Sequence, residues 1–179
     1  MSSHTPRFIL ANPLDSSDHV IGPGAARVIV VEYGDFECPS CRQAYPAVKQ
    51  LLKHFGERVR FAFRHFPLVE VHPHAQLAAE AAEAAGAQDK FWPMHDTLFE
   101  HQLHLKDKDL RRYAEALELD LQRFDYDLRD QVYRQRVNEH IEGGRQSGVR
   151  ATPTFFVAGA IVDVSFGLKH LFEAVQARL

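Results

Sequence analysis

Cysteine is nearly absent from this sequence: its 179 residues include only Cys38 and Cys41. A secreted domain stapled by disulfides would spread several cysteines along the chain to close loops. Two cysteines separated by Pro39-Ser40 close almost no loop, so a bond between them would add little stability through chain entropy. Long apolar runs are also missing. No stretch approaches the roughly 18 residues of a membrane span, so no membrane-embedded function is expected. The N-terminal residues lack a basic segment followed by a long apolar one. Phe8-Ile9-Leu10-Ala11 is too short for a secretory signal, and a cytoplasmic protein is expected. Charge of one sign is not in excess either. A formal net charge of −3 gives no electrostatic reason for nucleic acid or an acidic membrane to be the main partner. Internal repeats and low-complexity tracts are lacking as well.

What is present suits an ordinary globular protein, with 45% apolar and 25% charged residues and length enough for one buried core plus an elaboration. Residues 1–26, rich in Ser, Pro, Gly and Asp, read as an irregular lead-in. Arg27 to Tyr33 is a short β-branched apolar run, the pattern of a fully buried strand, and Gly34-Asp35 ends it. Pro39 opens a helix, because proline at the first helical position loses no hydrogen bond. Ala44, Val48, Leu51, Leu52 and Phe55 share one face of that helix, and Gly56 closes it. Val59 to Arg64 alternates as a second strand, giving a βαβ unit with parallel strands and a right-handed crossover.

From about His74 to Ser147 the pattern is helical. An Ala-rich helix over 75–85 ends at Gly86, and Phe91, His95, Leu98 and Phe99 mark the next. Asp109 is expected to cap a third and Asp120 to start a short fourth, while a longer fifth stops near Gly143-Gly144 or Gly148. Thr154–Val157 and Ala160–Asp163 read as a tight hairpin turning at Ala158-Gly159, followed by a terminal helix through Leu168 to Leu179. The expected fold class is α/β. Residues 27–68 and 149–179 form one sheet domain, with 69–148 a helical insertion between its halves.

The chemistry is carried by Cys38-Pro39-Ser40-Cys41, placed after a buried strand with its first cysteine at a helix N-terminus. Only a thiolate attacks a disulfide, and a free thiol with a pKa of ~8.5 is mostly protonated at neutral pH. The unpaired N–H groups and positive end of the helix stabilise negative sulfur at Cys38. Cys41, one turn on, can attack a mixed disulfide and release the substrate, so Cys38 is the nucleophile and Cys41 the resolving thiol. A zinc half-site is the competing reading, but no second cysteine pair exists and the eleven histidines show no finger-like spacing. No metal or cofactor is expected. Glu32, in the strand leading to the cysteines, admits two readings: an end-of-strand carboxylate reaching solvent, or a buried acid that exchanges a proton with Cys41. Asp35 and Glu37 are expected to be solvated and to oppose thiolate formation. His72-Pro73-His74 and the scattered His65, His95, His101 and His104 are read as solvated histidines rather than ligands.

The segment Val30 to Cys41 resembles the active-site strand and helix of DsbA-like thioredoxin-fold oxidoreductases. Val149-Arg150-Ala151-Thr152-Pro153-Thr154-Phe155-Phe156-Val157 is similar to that superfamily's cis-proline strand, and Pro46 matches the kinking proline of its active-site helix. The resemblance spans nearly the whole chain from about Asp18. It implies a thioredoxin-like fold (βαβ … ββα) with the helical block as the insertion, and an enzyme exchanging disulfides with protein or small-thiol substrates. It places Glu32 where the family keeps its buried acid. It also implies a cis Pro153 packed against the cysteines and an exposed Thr152 backbone that binds an extended substrate, with Pro39 and Ser40 on the same substrate side. The family's strongly oxidising periplasmic member has Pro-His between its cysteines. Pro39-Ser40 lacks that histidine, so a less oxidising pair is expected. Two other readings stay open: glutathione conjugation or isomerisation, and a metal- or peptide-binding module using the same cleft.

Overall fold

The β-branched run is strand β2 (Val28–Gly34), and its neighbours explain its composition. In the computed structural model, which describes residues 9–179, β3 (Val59–His65) pairs with β2 in parallel from Val28↔Val59 to Gly34↔His65. On the other side β4 (Thr154–Val157) pairs antiparallel, from Val30↔Val157 to Tyr33↔Thr154. A strand covered on both faces and paired on both edges must be apolar almost throughout. Side-chain alternation divides it: Val28 and Val30 join the larger core, whereas Val31 and Tyr33 pack on the opposite face with Ala62, Phe66, Val149 and Phe156. Glu32 is in phase with Val28 and Val30 and so faces the larger core.

That core is roofed by α1 (Pro39–Phe55), which begins with Pro39 and buries Cys41, Ala44, Val48, Leu51 and Phe55 on one stripe. The hairpin turns at Ala158-Gly159, both with positive φ (49° and 80°), as a two-residue turn between twisted strands requires. It delivers β5 (Ala160–Val162) to the sheet rim, and α7 (Lys169–Gln176) follows. Between the halves lie α2 (Ala75–Gly86), α3 (Phe91–Glu100), α4 (Asp107–Ala116), α5 (Leu121–Arg129) and α6 (Arg134–Gln146). The architecture is the expected thioredoxin-like α/β fold, with a sheet of five strands among the described residues in the order β1 (His19–Ile21), β3, β2, β4, β5.

Two details differ from the sequence reading, and a third decides between stops it left open. The lead-in contains a strand: β1 (His19–Ile21) pairs antiparallel with Phe61–Phe63 on the outer edge of β3. Three residues are too few to show a period of two, and the pairing is dictated by β3. Arg64 holds this segment in place, with its guanidinium donating to both Asp18 carboxylate oxygens at 2.8 Å and to the Asn12 and Pro13 carbonyls. Second, Asp109 is not the cap of α4. It sits two residues inside, and its carboxylate accepts from the Lys106 N–H at 3.2 Å. Asp120 does cap α5, accepting from the Arg123 N–H at 3.0 Å. Third, of the two stops offered for α6 the second is realised: the helix runs through Gly143 and Gly144 to Gln146, and Gly148, with φ 83°, follows its cap. A Cβ on Gly144 would lie 2.7 Å from the Phe66 ring and 3.1 Å from that of Tyr33, so Gly143 and Gly144 serve close approach to the sheet, not helix termination.

Candidate active site

Because β2 ends at Gly34 and Thr154 is registered opposite Tyr33, the residues just before β4 lie beside the start of α1. Cys38 is the N-cap of α1, with extended backbone (φ −74°, ψ 123°) and no side-chain cap. Its Sγ lies 3.5 Å from the Thr152 carbonyl oxygen, and the Thr152–Pro153 peptide bond is cis. Pro39 and Ser40 are exposed, Cys38 is 6% exposed and Cys41 is fully buried. The structure thus gathers Cys38, Cys41, Thr152 and Pro153 in one place, with Pro39 and Ser40 at its rim.

The two sulfurs differ in electrostatics. A hydrogen bond from the Cys41 thiol, aided by the N–H groups of Cys41 and Ser40, pulls the Cys38 thiol down to about 5 against burial. Cys41 goes the other way: burial, its bond to Cys38 and the charge of Glu32 push it well above the ordinary thiol value, although the Asp35 N–H donates to its Sγ at 3.4 Å. At neutral pH the outer sulfur is therefore a thiolate and the inner one a thiol. Glu32 is 3% exposed. Burial first, and then the Cys38 charge, push its carboxyl up to about 8.

Asp35 and Glu37 are not solvated as expected. Asp35 is 2% exposed, and its carboxylate accepts from the Glu37 and Leu68 N–H groups and meets His72 Nδ1 at 2.7 Å. Glu37 accepts from the His74 N–H at 2.7 Å and meets its Nδ1 at 2.8 Å. An isolated carboxylate is costly to bury, but one with several donors is not. The His72-Pro73-His74 motif, discounted in the sequence, thus fastens the loop before Cys38. Gln102, which carries no signal in its polar turn, is 7% exposed and donates to the carbonyls of Phe36 (2.9 Å) and Cys38 (2.8 Å).

The histidines are not all solvated either: His65, His95 and His140 are buried. Glu83 accepts from His65 Nε2 at 2.8 Å and His19 Nε2 at 3.0 Å, and His140 Nδ1 accepts from the His65 N–H at 3.1 Å. His65, Glu83 and His140 offer ligand atoms within 4.8 Å of one another, a grouping the sequence reading did not foresee. Glu83 is already satisfied by two imidazoles. They hold its carboxyl below the ordinary value although burial opposes them.

The pattern of the family described as "Thioredoxin" matches residues 15–177. Among curated proteins, "Na(+)/H(+) antiporter NhaA 1" of Salinispora arenicola is 52% identical over 166 residues, 92% of this chain and 25% of that protein. "Na(+)/H(+) antiporter NhaA 3" of Salinispora tropica is 49% identical over the same share of each. The chain thus spans about a quarter of the length of these relatives. Among solved structures, a thioredoxin-like oxidoreductase from Silicibacter pomeroyi superposes with a TM-score of 0.77 at 28% identity, covering 91% of this chain and 92% of that one. Oxidised BdbD from Bacillus subtilis gives 0.79 at 24% identity over 90% and 92%, which shows the shared fold. No helix among the described residues is long and apolar enough to cross a membrane.

Proposed function

The chain belongs to the thioredoxin family, and on that premise we propose that it exchanges disulfides with protein or small-thiol substrates through Cys38 and Cys41. The reading rests on one observation above all: Cys38 caps the start of α1 with its Sγ 3.5 Å from the Thr152 carbonyl beside cis Pro153, and Cys41 lies fully buried one turn deeper.

The Cys38 thiolate attacks one sulfur of a substrate disulfide. A Cys38–substrate bond forms, the substrate disulfide breaks, and the second substrate sulfur leaves with the electron pair and takes a proton from water. In this mixed disulfide Cys38 carries no charge, so one of the two influences raising Glu32 is gone and its carboxylate form becomes accessible. Glu32 takes the Cys41 proton, Cys41 attacks Cys38 Sγ, and the remaining substrate sulfur departs with its electron pair. Two electrons have passed from the enzyme dithiol to the substrate. The reverse sequence oxidises a substrate dithiol. The Thr152 backbone beside Pro153 binds the extended substrate, with Pro39 and Ser40 against the same chain.

Cys41→Ser should accumulate reducible adducts on Cys38 in a cell extract. If none form while a control thioredoxin variant traps them, the reading falls and a binding module takes its place. The antiporter relatives favour one particular protein partner, a Na+/H+ antiporter membrane region acting with this domain. Trapping in membranes should then place an antiporter polypeptide in the adduct, and adducts lacking it count against that partner.

A further inference from the structure

We propose that His95, backed by Asp96, is the relay that carries the proton of Glu32 to and from solvent. The inference rests on the exchange reading above, because it assigns a path to the proton which that reading places on Glu32.

Glu32 is enclosed, and no hydrogen bond figures among the influences on its carboxyl. A group that gains and loses a proton every cycle needs a way out. Between α1, α3 and the sheet lies a cavity of about 60 Å³, with Glu32, Tyr45, Lys49, His95 and Asp96 among the groups that line it. One water needs roughly 10–15 Å³ of such space and two or more polar partners, so the cavity has room for a short file of them. The remaining wall is apolar and aromatic.

His95 is 5% exposed and enclosed by the rings of Phe36, Phe63, Trp92 and Phe99. Its Nδ1 lies 3.0 Å from Asp96 Oδ1, and Asp96 also accepts from Lys49 Nζ at 2.5 Å. Burial works against the Asp96 carboxylate, but these two partners hold it below its ordinary value. An ionised Asp96 can only accept, so the neutral imidazole carries its proton on Nδ1 and leaves a bare lone pair on Nε2. That Nε2 is buried and has no partner among the described residues. Burial also drives the imidazole below its ordinary value, so His95 is neutral at rest and holds an extra proton only in passing. The charged or titratable groups facing it are Glu32 from β2, His65 from β3, Tyr45 and Lys49 from α1, and Asp96 from α3.

In the resolving step the Cys41 proton moves to Glu32. Glu32 returns it across the cavity to His95 Nε2, His95 gives its Nδ1 proton to Asp96, and Asp96, 32% exposed, releases it to water. One proton enters and one leaves, no electrons move along this path, and the imidazole, left with its proton on Nε2, regains its starting tautomer when a proton travels inward as Cys41 is reduced again.

Quenched-flow alkylation after mixing the reduced protein with glutathione disulfide separates attack by Cys38 from resolution by Cys41. His95→Gln should slow resolution ~10-fold or more, with Cys38 attack unchanged, and should have no further effect in a Glu32→Gln background. In His95→Ala, added imidazole should restore the lost rate. Asp96→Asn, at a partly exposed site, should slow resolution as well and serves if the His95 variants do not fold. Equal slowing of both steps, full effect of His95→Gln on top of Glu32→Gln, or failure of imidazole rescue overturns the relay. If Glu32→Gln slows resolution while His95→Gln and Asp96→Asn do not, the relay falls and the exchange reading stands. If the wild-type protein forms no mixed disulfide at all, it is the exchange reading that fails.

Discussion

Glu32 and Glu83 are two carboxyls of nearly equal burial, 3% and 5% exposed, that titrate in opposite directions. Glu32 has the sulfurs for neighbours and no hydrogen-bond donor among the described residues, so burial raises it to about 8. Glu83 has two imidazole donors, which outweigh burial and lower it. The difference teaches that burial supplies the energy but partners choose its sign. A paired carboxylate is a structural fixture, whereas an unpaired one beside a reacting group is held ready to exchange a proton.

The comparison can be broken or sharpened by experiment. The largest effect should appear in the pH dependence of stability. The folded protein holds the Glu32 proton up to about 8, whereas the ordinary value is 4.5. The stability linked to it is therefore complete below the ordinary value and is lost as pH rises through about 8. The shift sets that loss at about 5 kcal/mol at most. Urea unfolding between about pH 5 and pH 9 should show this slope in wild type and not in Glu32→Gln. Glu83 runs the other way, adding stability above 4.5 that disappears as pH falls through its lowered value.

Next in size, Glu83→Gln at neutral pH should cost about 3 kcal/mol, because it removes the charge and turns one of the two oxygens shared by buried His65 and half-buried His19 into a donor. A thermal melt should drop by roughly 6–12 °C, while the folded fraction still cycles its thiols. Glu32→Gln should do the reverse, leaving the melt unchanged or higher while resolution of a mixed disulfide slows ~100-fold. A slow Glu83→Gln or an unstable Glu32→Gln would erase the distinction drawn between the two. The smallest effect is expected at Gln102, a buried polar group that is paired but uncharged. Gln102→Leu should cost about 1–2 kcal/mol, equally at every pH across the same urea series.

Much of this was legible in the sequence because the elements announce themselves locally. β2 is β-branched, α1 opens on Pro39 and shows its buried stripe, and the hairpin carries Ala158-Gly159 between apolar runs. The cysteine pair was readable for the same reason, since strand, helix start and spacing are contiguous. What the sequence hid is the identity of partners distant along the chain. His72 and His74 look like solvated residues until Asp35 and Glu37 are brought to them. His65 and His19 meet Glu83 only after β1, β3 and α2 have assembled. His95 shows the helical phase of a core position, but its imidazole chemistry emerges only once the cavity and Glu32 stand on one side and Asp96 on the other. Gly143-Gly144 and Gly148 stayed open as alternative stops because a helix breaker and a close-contact residue are written with the same letter.

The sheet tapers. Its central strands β2 and β3 each span seven residues, whereas the rim strands β1 and β5 have three apiece, and Ile9 bridges to Ala160 along the β5 rim. Short borders of this kind offer another polypeptide little to zip onto, so the fold guards against runaway fibre-like stacking.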